Sequence, residues 1–201
     1  MDKYCITIAR QFGSLGRSIA HELSEMLGIE YYDRAIVEET SKKMDLPIST
    51  ISEQEEKSIK SNFFNLLFPL GVDSIEKQDR IFNIQQQIIL DLADKQSCII
   101  VGRCADYILR EKKNCLNVFI YAPVETRFQN CVHTLGMKPE EAKRMIHDMD
   151  IAREQYWKRY ANYAASDFNH KHLMIDSSIF GVTGTAELLA DIIKKRFHNI
   201  G

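Results

Sequence analysis

A glycine-containing turn between a buried strand and a helix constrains this chain more than any other feature. Residues 4–9 (YCITIA) are apolar and β-branched, which is typical of a buried parallel strand. The turn 13–16 (GSLG) follows, and apolar residues then recur at helical spacing until Gly28, which predicts the helix end. Because such a turn directs backbone N–H groups inward at a helix N-terminus, it predicts a phosphate-binding loop.

The turn matches part of the phosphate-binding pattern G-x-x-x-x-G-K-[ST]. Gly16 and Ser18 occupy its last glycine and its hydroxyl position, whereas Gln11 and Arg17 replace its first glycine and its lysine. Arginine keeps the positive charge but presents a planar fork in place of a compact point charge. Arg17 is therefore a candidate for neutralising phosphate oxygens, and Ser18 for binding Mg²⁺. The alternative at this level is a plain tight turn.

The rest of the chain alternates short apolar runs with helical patterns, which favours an α/β fold with a parallel sheet. Further strands are predicted at 29–32, 97–101, 116–121 and 173–175. Helices are predicted at 79–94, 140–165 and 185–197. Residues 34–95 contain no convincing strand and are too long for a plain connection, so we interpret them as a helical insertion.

Charged residues cluster where the predicted strands end. Arg10, Asp33, Arg103 and Asp176 each stand at or just after such an end. In an open α/β sheet, ligands bind outside the carboxyl ends of the strands. Any one of these residues could simply form a surface ion pair, but their joint placement favours an anion site.

One predicted helix carries charged and aromatic residues three positions apart: Asp150, Arg153, Tyr156 and Arg159. This spacing keeps them near one helix face. Arg153 and Arg159 could therefore move onto a phosphoryl group during transfer, as cationic side chains on a lid do. The alternative is a solvated charged face.

Composition narrows the class of protein. The chain has 201 residues, 45% of them hydrophobic and 27% charged, as expected for one soluble domain. A net charge of −2 provides no global basic field for nucleic acid polymers or membranes. The chain has five cysteines, an odd number that cannot be fully paired, and none of them has CxxC spacing. This favours free thiols in a reducing cytoplasm. We expect a cytoplasmic protein with neither a nucleic acid polymer nor a membrane as partner.

Taken in their order along the chain, these segments resemble the cytidylate kinase-like proteins of the nucleoside monophosphate kinase group. The resemblance covers nearly the whole length. It rests on ITIARQFGSLGRSIA, YYDRAIV, IIVGRCADYIL, NVFIYAPVETRF, DIAREQYWKRY and LMIDSS.

The resemblance implies a P-loop kinase fold, a three-layer α/β/α domain with a central parallel sheet of about five strands. It implies one domain, with a core at 1–33, 96–135 and 172–201. An acceptor-binding helical insertion would span about 34–95 and a helical lid about 136–171. ATP with Mg²⁺ would be the phosphoryl donor, and a nucleoside monophosphate would be the small-molecule acceptor.

The resemblance also assigns roles to residues. Asp33 and Arg103 would face the acceptor, and Asp33 or Asp106 would orient the attacking oxygen. Arg127 would lie against the adenine. The catalytic arginines would be Arg17, Arg153 and Arg159. The donor phosphates would be held by Gly13, Ser14, Leu15, Gly16, Arg17 and Ser18, with Ser18 also on the metal.

Two other functions are open at this stage. Gln11 and Arg17 favour a nucleotide-binding protein with little turnover. The apolar segment from Asn62 to Leu70 favours a partner-binding protein, since exposed aromatic and aliphatic residues in a run mark an interface. The same segment could join copies of the chain into a homo-oligomer. Cys104 stands where cytidylate kinases usually carry an acidic residue, so the identity of the acceptor is also open.

Overall fold

The computed structural model describes residues 3–43 and 75–197. Its centre is a five-stranded sheet in which every pairing is parallel, in the order β2-β3-β1-β4-β5. The predicted parallel sheet is thereby confirmed. The strands are β1 (Cys5–Arg10), β2 (Glu30–Tyr32), β3 (Cys98–Val101), β4 (Cys115–Tyr121) and β5 (Leu173–Asp176).

Helices cover both faces of the sheet. A π-helical turn at Asn130–Thr134 and a 3₁₀ turn at Phe168–His170 complete the described part. The α-helices are α1 (Gly16–Leu27), α2 (Arg34–Lys43), α3 (Ile75–Lys95), α4 (Ala105–Ile108), α5 (Val124–Gln129), α6 (Pro139–Ala161) and α7 (Ser177–Phe197).

The sheet separates two apolar cores, because successive strand side chains point to opposite faces. On one face, Ile6 and Ile8 pack with Leu23 of α1 and Leu189 of α7. On the other face, the strands pack with residues of α3, α4 and α6, among them the fully buried Trp157. This layering confirms the three-layer arrangement that the family resemblance implied.

The helices differ from the prediction in three respects: the end of α6, the start of α7 and the presence of α4. Helix α6 ends at Ala161, before residue 165, because Asn162 adopts a left-handed conformation with φ of 62°. Helix α7 begins at Ser177, and a kink at Gly181 separates its first turn from the predicted helix. The short helix α4 was not predicted, since four residues carry too little periodicity to be recognised.

The described parts of the predicted insertion, α2 and α3, are helical and pack against each other. The apolar segment 62–70 lies outside the described residues. The division of the chain into core, insertion and lid therefore stays a prediction.

Candidate active site

The loop between β1 and α1 requires a backbone that ordinary residues avoid. Gly13 has φ of 77°, and a Cβ there would lie 2.8 Å from the Arg127 carbonyl oxygen and 2.9 Å from Cys131 Sγ. Leu15 takes the left-handed conformation directly before α1, with φ of 57°. The chain therefore turns sharply, and the first N–H groups of α1 have no partner within the helix.

Side chains from other elements bind the carbonyl oxygens of this loop. Ser177 Oγ donates to the Ser14 carbonyl at 2.9 Å, and Asn130 Nδ2 donates to the Gly13 carbonyl at 2.9 Å. Gln11 accepts the Ala122 N–H through Oε1 at 3.2 Å. Gln11, which replaces a motif glycine, thus links the loop to the residue after β4.

A buried arginine and an aspartate fasten the loop to α6. Arg127 Nη1 donates to Asp150 Oδ2 at 2.6 Å and to the Phe12 carbonyl at 3.1 Å, while its Nε donates to the Ala122 carbonyl. Phe12 N–H in turn donates to Asp150 Oδ1 at 2.8 Å. The Arg127 guanidinium is engaged in these contacts, and its predicted position against adenine stays a prediction.

Three arginines from separate elements surround Asp33. Arg17 Nε donates to Asp33 Oδ2 at 2.7 Å, and Arg10 Nη2 lies 3.6 Å from the same oxygen. Arg103 Nη2 lies 3.8 Å from Asp33 Oδ1. Asp33 and Arg103 are buried, whereas the Arg17 side chain is 53% exposed. One carboxylate thus faces three cations.

A fourth arginine, from α6, completes the group. Arg153 is buried, and its Nη1 donates to the Arg10 carbonyl oxygen at 2.9 Å. Its Nε has no hydrogen-bond partner within residues 3–43 and 75–197. We refer to Arg10, Arg17, Arg103 and Arg153 as the arginine cluster.

The charges of the arginine cluster perturb one another. Burial alone would raise the pKa of Asp33. The nearby charges of Arg10, Arg17 and Arg103 together lower it by more, so its pKa lies below the usual value. Burial lowers the pKa of Arg10 to about 10, with Asp33 opposing the shift. Burial, then the nearby Arg10, lowers the pKa of Arg153. An anion placed among these cations would relieve their mutual repulsion.

All four members of the arginine cluster line one cavity of about 200 Å³ beside the loop. Gly13, Leu15, Gly16 and Ser18 also line it. The cavity therefore combines a helix N-terminus with four guanidinium groups, a donor set suited to phosphate oxygens.

Five predicted site residues do not line this cavity: Ser14, Asp33, Asp106, Arg127 and Arg159. Asp33 nevertheless pairs with the arginine cluster, and the contacts of Ser14 and Arg127 hold the loop. Arg159 Nη2 donates to Asp79 Oδ1 at 2.8 Å and so ties α6 to α3. Asp106 is buried and accepts hydrogen bonds from Trp157 Nε1 at 3.0 Å and from Lys171 Nζ. Both assignments, to phosphate and to the acceptor, stay predictions, and neither residue faces the arginine cluster in this conformation.

Arg10 and Asp150 are site residues to which the sequence reasoning gave no direct role. Arg10 was recognisable as the last residue of a strand before the loop. Asp150 was recognisable as part of the spaced helix stripe. Their roles depend on contacts across the sheet, which spacing along the chain does not reveal.

Solved structures share this architecture. An uncharacterized protein from Eubacterium ventriosum superposes with a TM-score of 0.68 and 23% identity, covering 98% of this chain and 99% of its own. A shikimate kinase from Acinetobacter baumannii superposes with a TM-score of 0.51 and 16% identity, covering 98% and 95%. At such identities the likeness concerns the fold, which is that of the P-loop kinases.

The sequence model of the cytidylate kinase-like family matches residues 5–179 of this chain. The chain belongs to that family. Curated cytidylate kinases from Aeropyrum pernix and Thermoplasma volcanium are each 24% identical to it. Both alignments cover 92% of this chain, and they cover 95% and 83% of the respective relatives. The match to this cytidylate kinase-like chain includes the phosphate-binding loop, Asp33 and the whole arginine cluster.

Proposed function

We propose that this chain transfers the terminal phosphoryl group of ATP to a nucleoside monophosphate, with cytidylate as the first candidate acceptor. The observation that carries the proposal is the convergence of four arginines beside a strand–loop–helix turn, with one carboxylate among them. Membership of the cytidylate kinase-like family supports the choice of acceptor.

The electrostatics suit this chemistry. Phosphoryl transfer needs little covalent participation from the protein, and its main requirements are positioning and stabilisation of negative charge. Four guanidinium groups and Asp33 leave an excess of three positive charges at the cavity. In a partly desolvated site, such fixed charges stabilise a transition state more strongly than they would in water.

The donor side is formed by the loop and Arg17. The N–H groups at the start of α1 would bind the phosphates, and Arg17 would take the part of the motif lysine. In the present conformation Arg17 Nε is bound to Asp33, so the approach of a phosphate must break or share that 2.7 Å contact. The Nε of Arg153 has no hydrogen-bond partner among the described residues, so Arg153 would contact the phosphoryl group during its transfer.

Magnesium fits this donor set. Within the described residues, no group of three or more His, Cys, Asp or Glu side chains is placed to hold a metal ion. Mg²⁺ usually keeps several waters and binds through substrate phosphates plus one or two protein oxygens. The hydroxyl of Ser18, at the start of α1, is a suitable protein ligand of this kind. When bound, the ion would neutralise charge on the phosphates.

The acceptor side would be formed by Asp33 and Arg103. Arg103 is buried with its fork toward Asp33, and it borders the same cavity as the loop. It would hold the acceptor phosphate, and Asp33 would orient the attacking oxygen. The neighbouring Cys104 stands where cytidylate kinases usually have an acid. It is fully buried, and burial raises its pKa well above the usual value, so its thiol stays neutral and does not line the cavity.

The test is a steady-state assay of ADP formation with ATP, Mg²⁺ and each of CMP, UMP, AMP and GMP. We expect one pyrimidine monophosphate to be preferred. Arg153→Met should lower kcat by at least tenfold, since it removes charge that faces the transferring group. The matched control is Lys194→Gln, which changes an exposed lysine in the last turn of α7 that does not line the cavity, and it should leave the rate unchanged. Turnover of no monophosphate would contradict the proposal.

A second function is favoured by one observation. Arg17 replaces the motif lysine and is held by Asp33, an arrangement suited to a nucleotide-binding protein with little turnover. Arg17→Lys separates the two. If the natural chain binds ATP without turnover and Arg17→Lys gains activity, the binding function is correct; if Arg17→Lys only modulates an existing rate, the kinase function is correct.

A further inference from the structure

A second cavity lies at the opposite end of the sheet from the phosphate-binding loop. It has a volume of about 470 Å³ and is bordered by the first residue of β4 and by His172, which precedes β5. Strand β4 runs from this cavity toward the loop, a distance of roughly 20 Å at 3.3 Å per residue. We call this cavity the lower pocket. Its volume is in the range of small-molecule sites.

The lower pocket is strongly basic in a chain of net charge −2. Its lining carries a single carboxylate, Asp106, which Lys171 already neutralises in a buried ion pair. The lining also includes two imidazoles, His170 and His172. The cationic side chains of the lining are Arg110, Lys112, Lys113, Lys171 and Arg196.

Two of these cations have no acidic partner in the described part of the chain. Lys112 is paired with Asp94, and Arg110 lies 3.5 Å from Glu111. Lys113 and Arg196, in contrast, take part in no ion pair with the side chains that the structure describes. Their charges therefore remain to attract an anion.

His172 lines the lower pocket, and a backbone contact fixes the tautomer of its ring. The ring Nδ1 of His172 accepts a hydrogen bond from the backbone N–H of Asn117 at 2.8 Å. The backbone N–H of His172 donates to the Asn117 carbonyl oxygen, also at 2.8 Å. Burial, then the charge of Arg196, lowers the pKa of His172, which keeps the ring neutral near pH 7. With Nδ1 accepting, the proton of a neutral ring resides on Nε2, which donates to no acceptor among the described residues.

The wall behind these groups is rigid. Asp106 accepts from Trp157 Nε1 at 3.0 Å and from Tyr163 Oη at 3.2 Å, in addition to Lys171. Tyr163 stacks on His170 with ring centroids 3.7 Å apart. Preformed walls of this kind reduce the entropy that a ligand must lose on binding.

We propose that the lower pocket binds a small phosphate-bearing molecule, with Arg196, Lys113 and His172 as its ligands. Arg196 and Lys113 neutralise its charge, and His172 Nε2 donates a hydrogen bond to a phosphate oxygen. This site is independent of the proposed kinase function, because it shares no residue with the arginine cluster.

The proposal is tested by titrating the protein with inorganic pyrophosphate at constant ionic strength, followed by NMR. We expect saturable shifts of the Asn117 amide and the His172 ring resonances. Arg196→Gln and Lys113→Gln should each weaken this binding by tenfold or more. Lys194→Gln removes the same charge from the same helix but lies outside the pocket lining, and it should leave the affinity within twofold.

The amides of Gly13 and Gly16 report separately on the phosphate-binding loop, so failure of one site is distinguishable from failure of the other. Absence of saturation at Asn117 and His172 would overturn the proposal. So would equal weakening by Lys194→Gln, which would mean diffuse attraction of anions to a basic surface. Binding of a single-stranded oligonucleotide without binding of pyrophosphate would assign the surface to nucleic acid and would likewise overturn it.

Discussion

At the scale of single residues, Asp33 determines the charge balance of the candidate active site. Its carboxylate forms direct ion pairs with Arg10, Arg17 and Arg103. In the absence of a phosphate, it occupies the position of an anion among these cations. We therefore expect it both to stabilise the folded protein and to compete with phosphates for Arg17.

Asp33→Asn should separate these two effects. Removing one partner of a buried ion pair costs about 3–5 kcal/mol, because a charge is left uncompensated. We expect a comparable loss in the free energy of unfolding, measured with urea, together with tighter binding of inorganic phosphate than in the wild type. Weaker phosphate binding in Asp33→Asn would mean that Asp33 does not compete for the arginines.

The pH dependence of stability should also depend on Asp33. Its folded-state pKa lies below its unfolded value, so its stabilising contribution is complete above the unfolded value of 3.8 and is lost as the pH falls through the lower, folded one. We expect the difference in unfolding free energy between the wild type and Asp33→Asn to be constant from pH 7 to 5 and to shrink below about pH 4. Urea titrations at a series of pH values measure this, and a constant difference down to pH 3 would contradict it.

Position 13 favours glycine because its φ is positive and because an added Cβ would be crowded. Gly28 shares only the positive φ, so it is a control for that effect. Both have positive φ, 77° and 64°, but only Gly13 has backbone and side-chain atoms within 3 Å of an added Cβ. Gly28→Ala should cost about 1–2 kcal/mol in unfolding free energy, the penalty of the left-handed conformation. Gly13→Ala should cost clearly more and abolish ATP binding in calorimetry; equal costs would show that the loop can shift to relieve the crowding.

At the scale of elements, α6 connects distant parts of the molecule. Through Asp150 it binds the loop and α5, through Arg153 it binds the end of β1, and through Trp157 it binds Asp106 of α4. Arg159 adds a contact with α3. Any movement of α6 over the phosphates must therefore rearrange several of these contacts together.

The buried pair of Asp106 and Lys171 should contribute far more to stability than an exposed pair nearby. Both side chains are almost fully buried, so Lys171→Met leaves a carboxylate uncompensated. We expect a loss of about 3–5 kcal/mol in unfolding free energy. Lys112→Met, which breaks the exposed pair with Asp94, should change it by less than about 1 kcal/mol. Similar losses of unfolding free energy in both variants would show that burial does not increase the contribution of the Asp106–Lys171 pair.

At the scale of the whole molecule, the parallel sheet separates two ends with different chemistry. The carboxyl ends of the strands carry the phosphate-binding loop and the arginine cluster, and the amino ends of β4 and β5 border the lower pocket. No helix of the described residues is long and apolar enough to cross a membrane. The five cysteines are buried and form no disulfide, so the fold rests on the two cores that flank the sheet and on a smaller apolar cluster around Cys131 and Ile146.

Nucleotide binding should stabilise the whole fold, because a ligand that binds only the folded state shifts the unfolding equilibrium. At 100 times the dissociation constant, ATP with Mg²⁺ should add about 2.7 kcal/mol to the unfolding free energy. At the same ligand concentration, Arg153→Met should reduce this gain, while Lys194→Gln should retain it. Thermal unfolding with and without ATP measures both, and an undiminished gain in Arg153→Met would exclude Arg153 from the binding site.

The sequence alone determined the fold class, because the patterns that predict strands, turns and helices each depend on residues close together in the chain. The strand–turn–helix at the start of the chain, the short apolar runs and the alternation with helical patterns each depend on neighbouring residues, and together they predict a parallel α/β sheet. The placement of Arg10, Asp33 and Arg103 at strand ends also follows from sequence, since parallel strands end at a common edge.

Only the tertiary structure decided which of the charged residues meet. Arg153 and Arg159 are six positions apart on one helix, yet Arg153 contacts the end of β1 and Arg159 contacts α3. Asp106 follows Arg103 by three residues, yet its carboxylate pairs with Lys171 and not with a member of the arginine cluster. Along α6, each residue is rotated by about 100° from the one before it, so residues six positions apart face different elements. Arg103 lies before α4 in a left-handed backbone conformation with φ of 59°, so its side chain does not share a helix face with Asp106. In both cases packing across the sheet selects the partners.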